Sequence, residues 1–218
     1  MQRLVPLLVT LGVTVGVLAS SGAPAHAVTT PPIRAVANLS HAGGDFEAPH
    51  STLYAMKRAV AAGVDVLDMD LRLSGDGVIM VQHDDTVDRT TGDTGAVTSF
   101  TAAQLQAMDN AYWFVPNCWS CHGEAVEAYA LRGIRTGSVP APVGFSADDF
   151  GIATLDQVVT AFPNKRYNVE IKDGMAGADA LAAYIADHGP ADRWVVVSFD
   201  SAVMEHFRSI APSVPVAP

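Results

Sequence analysis

The sequence predicts an α/β fold with a mostly parallel sheet, either a closed β/α barrel or an open doubly wound sheet. Two observations carry this. A strand, a helix and a second strand follow one another over residues 35–73, and βα units alternate regularly from Thr154 onward. That order calls for right-handed crossovers and parallel pairing, and repeated βα units build one of those two architectures. No GxGxxG or P-loop spacing is present to favour a nucleotide-binding version.

Ahead of the first strand, the chain opens on Met-Gln-Arg, runs almost wholly apolar from residue 4 to 19, and reaches Ala-His-Ala before Val28. This pattern predicts a signal peptide over 1–27, cleaved after Ala27, and a secreted or extracytoplasmic protein. The apolar run is shorter than the ~20 residues a spanning helix needs, so no stable membrane span is expected after cleavage. Residues 28–34, Val-Thr-Thr-Pro-Pro-Ile-Arg, read as an unstructured lead. The remaining 191 of 218 residues suit one domain. They carry 12 basic and 23 acidic residues, a formal charge of −11. Nucleic acid is therefore not an expected partner, because phosphate backbones need clustered Lys and Arg.

Taken in order, "AVANLSH" reads as a strand ending at His41. "STLYAMKRAVAAG" puts Leu53, Met56 and Val60 at helical spacing and stops at Gly63. "VDVLDMDLRL", 64–73, is the next strand. Only 12 residues separate Asp70 from His83, too few for a crossover helix and a strand, so "VIMVQHD" is expected to return as a hairpin and bring His83 back toward Asp70. The segment from Asp84 to about Gly151 is long for a loop and is expected to form a small subdomain or a functional insertion. It holds one helix with a capping box, Thr101 to Gln104. Regular alternation then resumes. "TLDQVVTAFP" is a helix with a second capping box, Thr154 to Gln157, and Pro163 as its stop. "YNVEIK" is a strand, "ALAAYIADHG" a helix, "WVVVSFD" a strand and "SAVMEHFRSIAP" a helix, and "VPVAP" begins one more strand.

Cys118 and Cys121 lie in "CWSCH". In an exported protein the simplest reading is a small disulfide loop. The same letters, followed by His122, are also the attachment signature of a c-type haem, which export would allow.

Period-two alternation puts Leu67, Met69 and Leu71 on one face of the 64–73 strand and Asp68 and Asp70 on the other. In "YNVEIK", Glu170 and Lys172 share a face for the same reason. Each piece alone has a plain structural reading: a solvated side of an edge strand, or an ion pair in a buried one. Taken together, three carboxylates near the C-terminal ends of parallel strands stand where α/β folds place their sites. Three such groups cannot crowd together unneutralised. All-oxygen ligands select a hard cation, Mg²⁺ or Ca²⁺. His41 and His83, whose imidazoles titrate near neutral pH, suit a general acid and base. Lys172 adds a fixed positive charge, and the set suits phosphoryl chemistry.

At these residues the chain resembles the glycerophosphodiester phosphodiesterase family. The matching stretches are "HAGG…APHSTLYA", "GVDVLDMDLRLSGDGVIMVQHDDTVDRTTG", "YNVEIK" and "VVVSFD", covering about 35–218 apart from the poorly matched 93–150. The resemblance implies a TIM-type (β/α) barrel with a small insertion after the second strand. It also implies a divalent cation on Asp68, Asp70 and Glu170, His41 and His83 as the acid and base, and Lys172 on the phosphate. The implied reaction is hydrolysis of small-molecule or lipid-derived glycerophosphodiesters to glycerol 3-phosphate and an alcohol.

Three departures bear on substrate identity. Ala42 stands where the family has Arg, removing a bidentate phosphate clamp. Pro49, His50, Ser51 and Thr52 replace a Pro-Glu-Asn-Thr stretch, so an acid gives way to a potential proton donor, and His50 is the candidate to take over part of the substrate contact. Asp68 replaces the usual Glu. About four barrel strands and the start of a fifth precede Pro218, whereas a closed barrel typically has eight strands and about 250 residues. A barrel incomplete at its C-terminus is therefore expected. Beside the phosphodiesterase stand two alternatives, a phospholipase D-like lipid phosphodiesterase and a catalytically silent phosphate- or lipid-binding barrel.

Overall fold

A computed structural model describes residues 37–217; the expected signal peptide, 1–27, and lead, 28–34, lie outside the described residues. The described strands are β1 (Leu39–Ser40), β2 (Val66–Leu73), β3 (Ile79–Val81), β4 (Arg166–Ile171) and β5 (Trp194–Val197). The α-helices are α1 (Leu53–Ala61), α2 (Ala102–Ala107), α3 (Leu155–Ala161), α4 (Gly174–His188) and α5 (Ser201–Ile210).

The strands form one sheet in the order β1-β2-β4-β5, with β3 joined to β2. β1, β4 and β5 run parallel to their neighbours, and β3 returns antiparallel as the expected hairpin. Leu71 pairs with both Val81 and Ile171, and Val66 with both Leu39 and Arg166. Thus β1 and β3 share the edge of β2 opposite β4. Val216 bridges in parallel to Val196, the beginning of the further strand expected at "VPVAP".

Alternation sorts the two faces. Leu67, Met69, Leu71, Tyr167, Val169 and Ile171 are buried in one apolar core beneath α1, α3, α4 and α5, while Asp68, Asp70, Asn168 and Glu170 take the other face. The helix ends follow local rules. Thr52 Oγ1 accepts from Ala55 N at the start of α1, and Gly63, at φ +87, lets the chain leave that helix. Both expected capping boxes form, at Thr101 and Thr154.

Two boundaries differ from expectation. β1 is only two residues long, because Ala42, Gly43 and Gly44 all take positive φ and turn the chain at His41. α4 starts six residues before "ALAAYIADHG". Gly174, at φ +59, makes the corner, and Gly177 lets the helix approach β4, since a Cβ there would stand 3.0 Å from Ile171 Cγ2. The insertion packs in two small apolar clusters that it shares with the scaffold, one joining Val87, Leu105 and Ile152 to Met80 of β3, the other joining Ile134 and Phe150 to Tyr54 of α1. Among the described residues no helix is long and apolar enough to cross a membrane.

Candidate active site

The C-terminal end of β1 presents His41. Its Nδ1 lies 3.1 Å from Asp45 Oδ2, and the imidazole is otherwise open, 67% exposed. The turn that follows is held from β2: Ala42 N donates to Asp68 Oδ2 across 3.1 Å. Ala42 sits at φ +46, a left-handed conformation that costs a residue with a Cβ about 1 kcal/mol. Gly43 is required at the next position, because a Cβ there would stand 2.9 Å from Ala55 Cβ.

His83 follows β3. Gln82 N donates to Asp70 O across 2.9 Å, and Arg72 Nε donates to His83 O across 3.1 Å, so the hairpin returns this segment to the end of β2. His83 Nδ1 is 2.6 Å from Asp84 Oδ1. Arg89 grips the same carboxylate with Nε and, at 2.9 Å, with Nη2. Burial works against the ionised form of Asp84, but the hydrogen bonds and charges of Arg89 and His83 outweigh it and pull its pKa down to about 2. A carboxylate that stays ionised holds the proton on His83 Nδ1 and leaves Nε2 free for chemistry. His41 with Asp45 repeats the arrangement.

Beside the histidine-bearing turns lies the charged face of β2 and β4. Asp70 and Glu170 are direct partners across the strands, as are Asp68 and Asn168. Lys172 Nζ bridges Asp70 Oδ1 at 3.1 Å and Glu170 Oε1 at 2.9 Å. Burial opposes the charged ammonium, but its two carboxylates prevail and raise its pKa. Asp68 accepts from Ala42 N and, at 2.6 Å, from Asn168 Nδ2. Among the described residues no three His, Cys, Asp or Glu side chains gather closely enough to hold a metal ion. The donor set nonetheless suits a hard divalent cation: three carboxylates face one lysine, leaving the cluster two charges short of neutral.

His50 does not behave as the expected proton donor. It is 1% exposed, its Nδ1 bonds Ser51 Oγ at 2.8 Å, and its Nε2 is buried with no partner among the described residues. Burial first, then the charge of Arg89, lower its pKa to about 3, so it is neutral at working pH. Its neighbour is Trp119, whose ring centroid lies 5.2 Å away. The same indole lies 5.1 Å from His83 and 6.3 Å from His41. Cys118 and Cys121 are bridged to each other, which leaves neither thiol for haem attachment.

The model of the Glycerophosphoryl diester phosphodiesterase family matches residues 41–218. The chain belongs to this family. A glycerophosphodiester phosphodiesterase of Caldanaerobacter subterraneus is 27% identical over 180 residues, 80% of this chain and 62% of its own length. A Bacillus subtilis relative is likewise 27% identical over 183 residues, 82% of this chain and 63% of its own. The chain thus spans about three fifths of the length of these two relatives. Among solved structures, the glycerophosphoryl diester phosphodiesterase domain of a Mycobacterium tuberculosis protein superposes with a TM-score of 0.65 at 23% identity, covering 84% of this chain and 59% of that one. An Oleispira antarctica phosphodiesterase, solved with its product sn-glycerol-3-phosphate, gives 0.63 at 21%, covering 83% and 64%. The fold is the α/β barrel of the family, incomplete in the described residues, which supply five strands.

Four residues that sequence reasoning passed over stand at the candidate site: Asp45, Asp84, Arg89 and Trp119. Asp84 had a local signal, standing directly after His83, and Asp45 lies four residues from His41. For Trp119, more than thirty residues from the nearest of its three histidines, no local pattern exists.

Proposed function

We propose that this chain hydrolyses glycerophosphodiesters to glycerol 3-phosphate and an alcohol, as an exported enzyme. The observation that carries the reading is the pair of imidazoles, each tied through Nδ1 to a carboxylate, on the β1 and β3 side of β2, whose end carries the Asp70–Lys172–Glu170 cluster with that of β4. His83, backed by an ionised Asp84, takes a proton through Nε2 from the water that attacks phosphorus. His41, open to solvent, returns one to the leaving alkoxide as the P–O bond breaks. Lys172 offers its ammonium to the phosphate oxygens. A divalent cation, Mg²⁺ or Ca²⁺, held by Asp70 and Glu170 with Asp68, would supply charge stabilisation for the phosphorane-like oxygens.

The departures shape the substrate. With Ala42 in place of Arg and His50 neutral, phosphate binding in this reading rests on Lys172, which favours diesters bound through their organic groups as well as through phosphate. The test is release of glycerol 3-phosphate from glycerophosphocholine, followed by phosphorus NMR. Activity is expected to need an added divalent cation, to stop with EDTA and to be lost in Glu170→Gln. Full activity in EDTA, or a product other than glycerol 3-phosphate, would overturn the reading.

A further inference from the structure

The insertion meets the site through a side chain that the proposed hydrolysis does not use. Trp119 sits in the four-residue loop closed by the Cys118–Cys121 bridge. Its indole stands edge-on to His83 at 74°, and the guanidinium carbon of Arg89 lies 4.3 Å above it. Arg89 holds Asp84, and Asp84 holds His83 Nδ1. The indole therefore reaches His83 twice, once by direct contact and once through an ion pair.

Covering the site in this way has an energetic cost. Trp119 Nε1 and His50 Nε2 are both buried without a hydrogen-bond partner among the described residues. Each such group costs the folded state about 1–3 kcal/mol. Swinging the indole outward would return both groups to water, so the cover must be tied down. Its ties are Asn117 N to Phe46 O at 2.7 Å, Cys118 N to Val115 O at 3.0 Å, Cys121 N to Trp113 O at 3.1 Å, Tyr129 OH to Cys121 O at 2.8 Å, and the covalent bridge. Of these the bridge alone fixes both ends of the Trp119 loop to each other.

We propose that Trp119 is a positioning residue for His83, latched over the three histidines by the Cys118–Cys121 bridge, so that reducing the bridge unlatches the cover and slows turnover. The proposal rests on the phosphodiesterase reading for its effect on rate, but not for its effect on structure. In the reducing step a dithiol gives two electrons and two protons, the S–S bond becomes two thiols, and the dithiol closes to its own disulfide.

The experiment uses the full chain, oxidised or treated with dithiothreitol. Carbethoxylation of His50 by diethyl pyrocarbonate, resolved by mass spectrometry, reads the cover without any turnover. His50 is expected to be labelled roughly tenfold faster after reduction, in a Cys118→Ser/Cys121→Ser double variant, and in Trp119→Ala; the double variant should not respond to dithiothreitol. In parallel, kcat for glycerophosphocholine is expected to fall roughly ten- to hundredfold on reduction with a smaller change in KM, as misplacing a reacting group does. Trp119→Phe, which keeps a ring beside His83, should restore most of what Trp119→Ala loses. Equal His50 labelling before and after complete reduction overturns the latch whatever the activity. Faster labelling with unchanged kcat overturns the positioning role. An oxidised chain that hydrolyses no glycerophosphodiester defeats the phosphodiesterase reading, while the labelling arm still decides the latch.

Discussion

His83 Nδ1 and Asp84 Oδ1 stand 2.6 Å apart, with Arg89 paired to the same carboxylate. An amide at position 84 would offer His83 a donor as well as an acceptor and would release the tautomer that leaves Nε2 unprotonated. Asp84→Asn is therefore expected to lower kcat by about 10² to 10⁴, the scale seen when an orienting carboxylate is lost from a histidine. Steady-state kinetics at pH 7, with a melting curve to show that the variant is folded, checks it.

The same carboxylate should appear in acid stability. Its folded pKa of about 2 lies below the ordinary 3.8, so the native state binds fewer protons than the unfolded chain between these values. Stability from this group is thus fully present above about pH 5 and is lost as pH falls toward 2. The loss amounts to about 2 kcal/mol. Urea unfolding at pH 5 and pH 2.5 should show a smaller acid loss in Asp84→Asn than in the unsubstituted chain.

The division of proton transfer between the histidines can be read with an activated leaving group. On glycerophosphocholine both His41→Ala and His83→Ala are expected to lose about 10² or more in kcat. A p-nitrophenyl phosphodiester expels an anion that needs no proton. On that substrate His41→Ala should regain most of its rate and His83→Ala should not; recovery in the wrong variant reverses the assignment.

Ala42 holds a left-handed backbone at φ +46 while its amide bonds Asp68. Ala42→Gly removes the Cβ penalty and keeps that hydrogen bond. The variant is expected to gain about 1 kcal/mol, or a Tm rise of roughly 2–4 °C, measurable by calorimetry.

Where contacts are local, the sequence announces them. The capping boxes at Thr101 and Thr154 follow from a hydroxyl and an amide three residues apart. Alternation with a period of two assigns Asp68 and Asp70 to one face of their strand and Glu170 and Lys172 to one face of theirs, whereas the register that opposes Asp70 to Glu170 is set by the pairing of β2 with β4. What stayed hidden depends on distance along the chain or on burial. The early start of α4 turns on the positive φ of Gly174 and the close approach of Gly177, neither of which leaves a periodic trace. The neutrality of His50 comes from being enclosed, a property of the folded site rather than of the Pro-His-Ser-Thr letters. The place of Trp119 beside His41, His50 and His83 depends on the path of the whole insertion.

The insertion that brings Trp119 to the site packs in small apolar clusters shared with β3 and α1, while the sheet rests on the core beneath β2, β4 and β5. Tolerance to substitution is accordingly split between two regions. Changes around Ile134 or Phe150 act on the packing of the insertion against α1. Changes at Met69 or Val169 act instead on the survival of the scaffold.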